Sequence, residues 1–305
     1  MESCIVAMES VLAALARDEV SMPLRFMVRS GGDQIMGLMP AHRAGDVPLF
    51  SLKEIVVTPG NSARGLDPHQ GGVLLHDGET GALEAMLNAS AITEIRTAAV
   101  SAVATKLLAP AGARRVAILG AGVQGRSHAV AMRAVVDDAE LRVWSRTAAH
   151  AEALALESHA AVCATVEEAL DGAEVVCTCT SSREPIVRRS WLAPGAHVNA
   201  VGSSVPAARE LDSDVIAAAA LFVDRRESTV NESGDYLAAV EETGIGPDHI
   251  RAELGELLVG SAPGRRDDGE LTVFKSLGLA VEDLAAAALC VARARERGVG
   301  AEVPF

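Results

Sequence analysis

The sequence predicts an α/β protein in which a doubly wound parallel sheet is joined to a smaller, discontinuous α+β region. From residue 116 to residue 224, short apolar runs alternate with segments of helical period, as in a parallel sheet covered by helices on both faces. Before residue 110, apolar runs are instead joined across glycine turns, which is typical of antiparallel hairpins. The chain has 305 residues, 49% of them hydrophobic, and is therefore long enough for two domains.

The region before Pro110 is predicted to contain two helices and a set of antiparallel strands. Apolar residues recur at helical spacing at both of its ends, and apolar alternation lies between them. In chain order, the elements are a helix over 2–17, two strands within 22–42 joined by Gly31–Gly32, a strand over 49–57, two strands within 71–88 joined at Gly78–Gly81, and a helix over 90–109 with Ser90 as its N-cap.

Beyond Pro110, strands are predicted at 116–119, 141–144, 174–180, 197–202 and 220–224, and helices at 123–135, 148–159, 166–173 and 211–219. A glycine-rich region then leads to a last helical segment over 273–298. This segment is too long and too apolar for a surface appendage, so we expect it to pack back onto the first domain. The predicted domains are 1–109 with 279–305, and 110–278.

Composition excludes several classes of protein. The formal net charge of -14 argues against binding to nucleic acid or to an anionic membrane surface. No apolar run reaches the length of about 18 residues that a membrane span needs, and no secretory signal is visible. The five cysteines are odd in number and scattered. Cys177 and Cys179, in an apolar run, are predicted to be buried thiols in a reducing compartment, so we expect a cytoplasmic protein. The eight histidines show no metal-binding grouping, and no metal is predicted.

The stretch "VAILGAGVQGRSH" carries a dinucleotide-binding fingerprint. Gly120, Gly122 and Gly125 fit G-x-G-x-x-G, and the motif follows a predicted strand and opens a predicted helix, which is the context that confirms it. Val123 and Gln124 lie within the turn, where free backbone amides of the helix N-terminus would bind the pyrophosphate. The alternative is a glycine turn that binds no ligand.

The second strand of this unit predicts which nucleotide is bound. An NAD site usually has an acid there, which binds the ribose 2′-hydroxyl; this chain has Ser145, Arg146 and Thr147. Arginine and two hydroxyls suit a 2′-phosphate, so the predicted cofactor is NADPH, with NADH possible if Arg146 is only a surface residue. Thr178 and Val201, in later predicted strands, are also predicted to bind the cofactor.

Several longer segments resemble the ornithine cyclodeaminase/mu-crystallin family. They are "PGNSARGLDPHQGGVLLHDGETG", "ITEIRTAAVSAVATKLLA", "ILGAGVQGRSH", "PGAHVNAVGSSVPAARELD" and "VFKSLGLAVEDLAAA", and the likeness runs in order along nearly the whole chain. It implies a homodimer whose middle part is a Rossmann-type NAD(P)-binding domain. The N-terminal part and the final helix would form the domain for substrate binding and dimerisation.

The resemblance also implies a set of site residues. Arg25, Lys53 and Arg96 would surround the carboxylate of a small α-amino or α-imino acid, with Lys53 and Arg96 taking part in catalysis and Arg96 also close to the cofactor. His69 would lie near the cofactor, and Lys275 and Ser276 would close over the nicotinamide. Alternatives stay open for four of them. Arg25 could be a charge at a strand edge, Arg96 could pair with Glu94 or a nearby acid, and His69 could be a plain loop residue. Lys53 lies beside Glu54, and only one of the two can face inward on a strand.

Two departures from the cyclodeaminase pattern indicate the branch. Cyclodeaminases carry an acid–base Asp where this chain has Ser204, and an acid before "LMP" where this chain has Gly37. A serine hydroxyl without a partner is a poor base near neutral pH. Both departures match the ketimine reductase branch, in which Ser204 would only line the substrate site. The resemblance therefore implies NADPH-dependent reduction of Δ1-piperideine-2-carboxylate or Δ1-pyrroline-2-carboxylate to pipecolate or proline. Three alternatives stay open: an ornithine cyclodeaminase, an NAD-dependent amino-acid dehydrogenase, and a non-catalytic crystallin-like binding protein.

Overall fold

The computed structural model describes residues 1–67 and 69–303, and the chain divides into two compact units. We call Val6–Arg96 with Leu279–Phe305 the antiparallel unit, and Met1–Ile5 with Thr97–Gly278 the parallel unit. The first predicted domain, 1–109 with 279–305, meets the second, 110–278, after residue 109. In the structure, the boundary between the two units instead lies within a helix, after Arg96. The roles predicted for these domains remain predictions, and positions 68, 304 and 305 of their ranges lie outside the described residues.

The first part of the chain forms the strands of the antiparallel unit. In chain order its elements are α1 (Glu2–Ala16), β1 (Val20–Ser21), β2 (Phe26–Arg29), β3 (Ile35–Arg43), β4 (Leu49–Val57), a 3-10 turn (Pro59–Arg64), β5 (His69–Asp77), β6 (Leu83–Asn88) and α2 (Ala89–Leu108). Burial alternates along the first half of β4, since Leu49, Ser51 and Lys53 are buried while Phe50 is exposed. Successive strand residues point to opposite faces of a sheet, so this alternation gives the sheet one buried face.

The rest of the chain supplies the parallel unit and one last helix. Its elements are β7 (Arg115–Leu119), α3 (Val123–Val135), β8 (Glu140–Trp144), α4 (Ala148–Ser158), β9 (Ala161–Val162), α5 (Val166–Leu170), β10 (Val175–Thr178), a 3-10 turn (Arg189–Trp191), β11 (His197–Ala200), α6 (Ser213–Ala218), β12 (Ala220–Val223), α7 (Arg226–Glu232), α8 (Gly234–Thr243), a 3-10 turn (Pro247–His249), β13 (Ile250–Glu253), α9 (Leu254–Leu258), β14 (Thr272–Lys275) and α10 (Ala280–Arg297).

Two sheets organise the described residues, one in each unit. The antiparallel sheet has the order β1-β3-β4-β5-β6 with β2 paired to β3, and α10 packs against β3, β4 and β5. The other sheet is parallel, in the order β13-β12-β14-β11-β10-β7-β8-β9. Its central strands β10, β11, β12 and β14 are buried along their whole length, because helices cover both faces of such a sheet. The predicted α/β fold class is confirmed.

The strand order of the parallel sheet reverses between β7 and β10. From β7 the chain moves outward through β8 to β9, and it then returns to β10 on the other side of β7. A crevice opens outside the carboxyl ends of the strands at such a switch point, and ligands of open α/β sheets bind there. The topology therefore places the end of β7, with its glycine turn, at the ligand-binding edge.

The predicted N-cap of α2 is wrong by two residues. The helix begins at Ala89, and the Asn88 side chain accepts the Ala91 amide hydrogen at 2.9 Å, which is a cap contact. The Ser90 hydroxyl instead donates to the backbone oxygen of His69 at 2.8 Å. The Ser90 hydroxyl therefore makes a tertiary contact with His69. Asn88, an equally good capping residue, caps the helix instead.

The segment after Asp224 differs most from the sequence prediction. The region expected only to be glycine-rich contains α7, α8, β13 and α9, whose short lengths give little periodicity to detect. The predicted helix over 273–298 is wrong in its first part, because Val273–Lys275 lies in β14 between β11 and β12. The Asp224 carboxylate accepts the amides of Leu277 and Gly278 at 2.6 and 2.8 Å, and Gly278 has a φ of +79°. This turn separates the strand from α10.

Cys177 is buried as predicted, whereas Cys179 is only half-buried. Among the described residues, no helix is long and apolar enough to cross a membrane.

Candidate active site

The glycine turn between β7 and α3 has the geometry that dinucleotide binding requires. Gly120 has a φ of +110°, and an added Cβ there would lie 2.5 Å from the Cys179 backbone oxygen. At Gly125 it would lie 2.0 Å from the Gly120 oxygen, so both positions exclude any side chain. At Gly122, in contrast, an added Cβ would meet nothing within 4 Å. Open space beside Gly122, next to the first-turn amides of α3, fits the pyrophosphate of a dinucleotide.

The end of β8 presents the three residues that were predicted to select the nucleotide. Ser145 is half-buried, and its hydroxyl accepts the amide hydrogen of Thr147 at 3.4 Å. Arg146 is exposed, and no side chain in the described part of the protein pairs with it. An exposed guanidinium at this position is available to a phosphate, since the neighbouring positions 145 and 147 carry hydroxyls rather than a carboxylate.

The ends of β10, β11 and β14 hold the remaining predicted residues of the parallel unit. Thr178 and Val201 are buried, and the Val201 amide donates to the Thr178 oxygen at 3.1 Å. Ser276 is buried and its amide donates to the Ala200 oxygen. The Lys275 ammonium is fully buried and lies 3.0 Å from the Asp235 carboxylate. The Lys275 ammonium thus pairs with a buried carboxylate of the parallel unit, and its predicted contact with the nicotinamide remains a prediction.

Ser204 lies in the loop that follows β11. It is half-buried, and no described residue shares a hydrogen bond with its hydroxyl. Its neighbour Ser203 is buried and donates to the Ala208 backbone oxygen, which closes the loop. Because no described acid or imidazole hydrogen-bonds to Ser204, no described residue of the parallel unit would make its hydroxyl a base.

In the antiparallel unit, Lys53 and Arg96 meet a carboxylate that sequence reasoning did not assign. The Lys53 ammonium lies 2.7 Å from Oδ2 of Asp283, and Arg96 Nε donates to Oδ1 of the same residue at 2.9 Å. All three side chains are buried. Lys53 comes from β4, Arg96 from α2 and Asp283 from the first turn of α10. The alternative that Arg96 pairs with an acid is therefore what the structure shows, and its partners include Asp283 and Glu282.

Burial and these charges set the proton affinities of the cluster. Burial lowers the pKa of Lys53 to about 8, although the Asp283 carboxylate opposes this shift. Burial alone would raise the pKa of Asp283, but Arg96 and Lys53 together lower it below its ordinary value. Asp283 is therefore ionised at neutral pH, whereas Lys53 titrates only slightly above it.

Two further charged residues complete the cluster. Oε2 of Glu282 accepts a hydrogen bond from Arg96 Nη1 at 3.0 Å and another from the Leu279 amide at 3.1 Å, so Glu282 also caps α10. Arg25 is half-buried just before β2, and its charge contributes to the lowered pKa of Lys53. The three cationic side chains and two carboxylates carry one net positive formal charge, which suits one carboxylate of a ligand.

His69 is exposed at the start of β5, with its Nδ1 3.9 Å from Asp67 Oδ1. Its contact with a cofactor remains a prediction. The residues that sequence reasoning missed are Glu282 and Asp283. Their signal was present as two adjacent acids in the otherwise apolar stretch "LAVEDLAAA", because buried carboxylates need cationic partners.

The comparisons with known proteins show the family to which the chain belongs. The sequence profile of the ornithine cyclodeaminase/mu-crystallin family matches residues 1–298. The chain belongs to this family. It is 42% identical over 291 residues to the ketimine reductase mu-crystallin of Mus musculus, covering 93% of this chain and 90% of that protein. It is 36% identical over 315 residues to the Δ1-pyrroline-2-carboxylate reductase of Bacillus cereus, covering 99% and 97%.

A solved structure of another family member has the same fold. It is the Δ1-pyrroline-2-carboxylate reductase of Thermococcus litoralis in complex with NADH and L-proline. The TM-score is 0.94 with 33% sequence identity, over 99% of this chain and 96% of that chain. The resemblance to the ornithine cyclodeaminase/mu-crystallin family is thus confirmed.

Proposed function

We propose that this family member reduces the C=N bond of small cyclic ketimine carboxylates with NADPH. Its substrates would be Δ1-pyrroline-2-carboxylate and Δ1-piperideine-2-carboxylate, and its products proline and pipecolate. The observation that carries the proposal is the buried cluster of Lys53, Arg96, Asp283 and Glu282 with Arg25 beside it, which together hold one net positive formal charge. The similar enzymes from Bacillus cereus and Thermococcus litoralis, named for pyrroline-2-carboxylate, support this choice of substrate class.

In the proposed reaction the antiparallel unit binds the substrate carboxylate. Arg25 and Lys53 offer cationic hydrogen-bond donors, while Arg96 is held in place by Asp283 and Glu282. When bound, the dinucleotide supplies a hydride to C2 of the ring. The C=N electron pair moves to nitrogen, and the proton that the iminium already carries stays on the product amine. Fixing the ring by its carboxylate in this way lowers the entropic part of the barrier by several kcal/mol.

No side chain has to act as a general base in this mechanism. Ser204 stands where cyclodeaminases carry the acid–base Asp, and its hydroxyl has no activating partner among the described residues. Gly37, in β3, offers no acid for the distal amine of ornithine. These two residues favour reduction of a ready-made imine over deamination of ornithine. The retained cationic cluster favours an enzyme over a binding protein without turnover.

The preference for NADPH rests on Arg146. Its exposed guanidinium and the neighbouring hydroxyls of Ser145 and Thr147 would bind a 2′-phosphate through charge-assisted hydrogen bonds. The proposed cofactor-binding residues of the parallel unit are Gly120, Gly122, Val123, Gln124, Gly125, Ser145, Arg146, Thr147, Thr178, Val201 and Ser276, with the backbone of Lys275.

We further propose that the protein is a homodimer. The register of the antiparallel sheet puts Phe26, Val28, Phe50 and Met86 on the face opposite to Lys53, and they are 57%, 57%, 49% and 75% exposed. A set of large exposed apolar side chains on one sheet face is typical of a protein interface. The test is light scattering at micromolar concentration, and a measured mass equal to that of a monomer would contradict the dimer.

The deciding experiment measures NADPH oxidation with a panel of substrates. The panel contains both cyclic imines, keto acids with ammonia, and ornithine, each also tested with NADH. We expect imine-dependent oxidation of NADPH and no ammonia from ornithine. Ammonia release would indicate a cyclodeaminase, and oxidation only with keto acid and ammonia would indicate an amino-acid dehydrogenase. Cofactor binding without any turnover would indicate a binding protein.

A further inference from the structure

Glu210 is a fully buried carboxylate that joins the ends of two neighbouring strands of the parallel sheet. Its Oε2 accepts hydrogen bonds from the Thr178 hydroxyl at 2.6 Å and the Gly202 amide at 2.7 Å. Its Oε1 accepts the Thr180 amide and the Thr180 hydroxyl, both at 2.7 Å. Thr178 is the last residue of β10 and Thr180 lies two residues beyond it, while Gly202 lies two residues beyond the end of β11. Each oxygen of the carboxylate therefore accepts two donors, one of them a backbone amide.

A second buried carboxylate holds Glu210 in place. Oδ1 of Asp235, on α8, accepts the backbone amides of Glu210 and Leu211 at 2.8 and 2.9 Å. Oδ2 of Asp235 accepts a hydrogen bond from the Lys275 ammonium at 3.0 Å, and Lys275 ends β14. Burial raises the pKa of Glu210, and the charge of Lys275 opposes that shift. The ends of β10, β11 and β14 are thus tied into one buried polar network, in which the geometry of Glu210 is strongly constrained.

This network lies directly beside the dinucleotide turn. An added Cβ at Gly120 would lie 2.5 Å from the Cys179 oxygen and 3.2 Å from a Thr180 methyl carbon. At Gly202 it would lie 2.0 Å from the Thr180 oxygen and 2.5 Å from Glu210 Oε1. The Thr178–Thr180 segment is therefore packed between the glycine turn and Gly202, and Glu210 fixes it from within the unit.

The position of this segment indicates which half of a dinucleotide it would meet. In a doubly wound sheet the ribose next to the adenine lies over the strand that follows the glycine turn, here β8 with Arg146. The other half of the dinucleotide crosses the switch point to the opposite side of the first strand, here toward β10 and β11. The segments that Glu210 fixes therefore lie on the nicotinamide side.

We propose that Glu210 is a positioning residue for the nicotinamide half of the cofactor. By holding the ends of β10 and β11 in one register, it keeps the surface against which the nicotinamide ribose and ring would bind. The adenosine half, bound at β8, does not depend on it. This inference rests on the proposed use of a nicotinamide dinucleotide.

The test compares two ligands on the purified full-length protein by calorimetry. NADPH contains both halves of the cofactor, whereas adenosine 2′,5′-bisphosphate lacks both the nicotinamide and its ribose. Glu210→Gln keeps the size of the side chain, but its NH2 group faces the Thr180 or Gly202 amide, which is also a donor. We expect the Kd of NADPH to rise about tenfold, the scale of one lost hydrogen bond, while that of adenosine 2′,5′-bisphosphate changes less than twofold.

Two further variants keep the test decisive. Glu242→Gln, a control in the same unit, alters a partly exposed carboxylate paired with Arg209 and should change neither Kd. Thr180→Val removes one hydroxyl donor to Glu210 with little change in shape, and should weaken NADPH selectively even if Glu210→Gln fails to fold. Equal weakening of both ligands would show that Glu210 only supports the fold, and no weakening of either would also overturn the proposal. If the unmodified protein binds neither NADPH nor NADH, the proposed function itself fails.

Discussion

Replacing Asp283 by Asn should move the pH at which activity is lost. Asp283 accepts from Arg96 at 2.9 Å and contacts the Lys53 ammonium at 2.7 Å. Burial lowers the pKa of Lys53 to about 8, while the carboxylate of Asp283 raises it. Removing that carboxylate takes away a contribution that favours the charged lysine, so the pKa falls further. A lysine attracts the substrate carboxylate only when charged, so the rate that depends on it is present below this pKa and is lost as the pH rises through it.

The size of the shift follows from the contact that is lost. A hydrogen bond to a charged group contributes roughly 1.5–3 kcal/mol, and one pH unit corresponds to about 1.4 kcal/mol. We therefore expect the pKa of Lys53 to fall by roughly one to two units in Asp283→Asn. At pH 7.5 the charged fraction of Lys53 would then drop by roughly three- to twenty-five-fold, and kcat/KM for the cyclic imine should drop with it.

The assay is the pH profile of kcat/KM for NADPH-dependent imine reduction, with a thermal melt to show that each protein is folded. Glu282→Gln is the matched control, because Glu282 is the adjacent buried acid and accepts a hydrogen bond from Arg96, whereas the Lys53 ammonium pairs with Asp283. The imine nitrogen of the substrate titrates in the same way with every protein. Only differences between the pH profiles of the unmodified protein and the variants therefore report on Lys53. A folded Asp283→Asn protein with an unmoved alkaline limb would refute the reasoning, and so would an equal shift in Glu282→Gln.

Three further predictions concern the parallel unit. Gly122→Ala should leave the unfolding free energy unchanged within about 0.5 kcal/mol but weaken NADPH binding at least about tenfold. Gly120→Ala should destabilise the fold itself by about 2 kcal/mol or more, because its Cβ would overlap the Cys179 oxygen. Urea unfolding measures the loss of stability and cofactor titration measures the loss of binding, so the two variants can be distinguished. Unimpaired NADPH binding by Gly122→Ala would mean that the pyrophosphate binds elsewhere. Arg146→Asp should weaken NADPH by roughly 1–3 kcal/mol more than NADH, and equal losses in titrations would show that it does not bind the 2′-phosphate. Ser204→Ala should keep the imine-reducing rate within about tenfold, and a complete loss of turnover would mean that a base at 204 is needed after all.

Features with a local cause could be predicted from the sequence. The strand, glycine turn and helix around Gly120 follow from a few adjacent residues, since G-x-G-x-x-G constrains its own backbone. The absence of an acid after β8 is likewise visible without coordinates, as are Ser204 and Gly37. The short helices after Asp224 were missed because segments of five to ten residues hold too few turns for a periodic signal.

The sequence by itself determined the α/β class, the dinucleotide turn, the family and the cationic residue types Arg25, Lys53 and Arg96. Only the tertiary structure decided what those cations contact. Arg96 and Asp283 are 187 positions apart, and no periodicity links residues that distant. Because Arg96 is paired with two buried carboxylates, its removal would leave uncompensated charge and cost roughly 3–5 kcal/mol of stability, so its loss would not report on substrate binding alone. The contacts of Glu210 were likewise decided only by the tertiary structure, because its four hydrogen-bond donors are brought together only when β10 and β11 lie side by side.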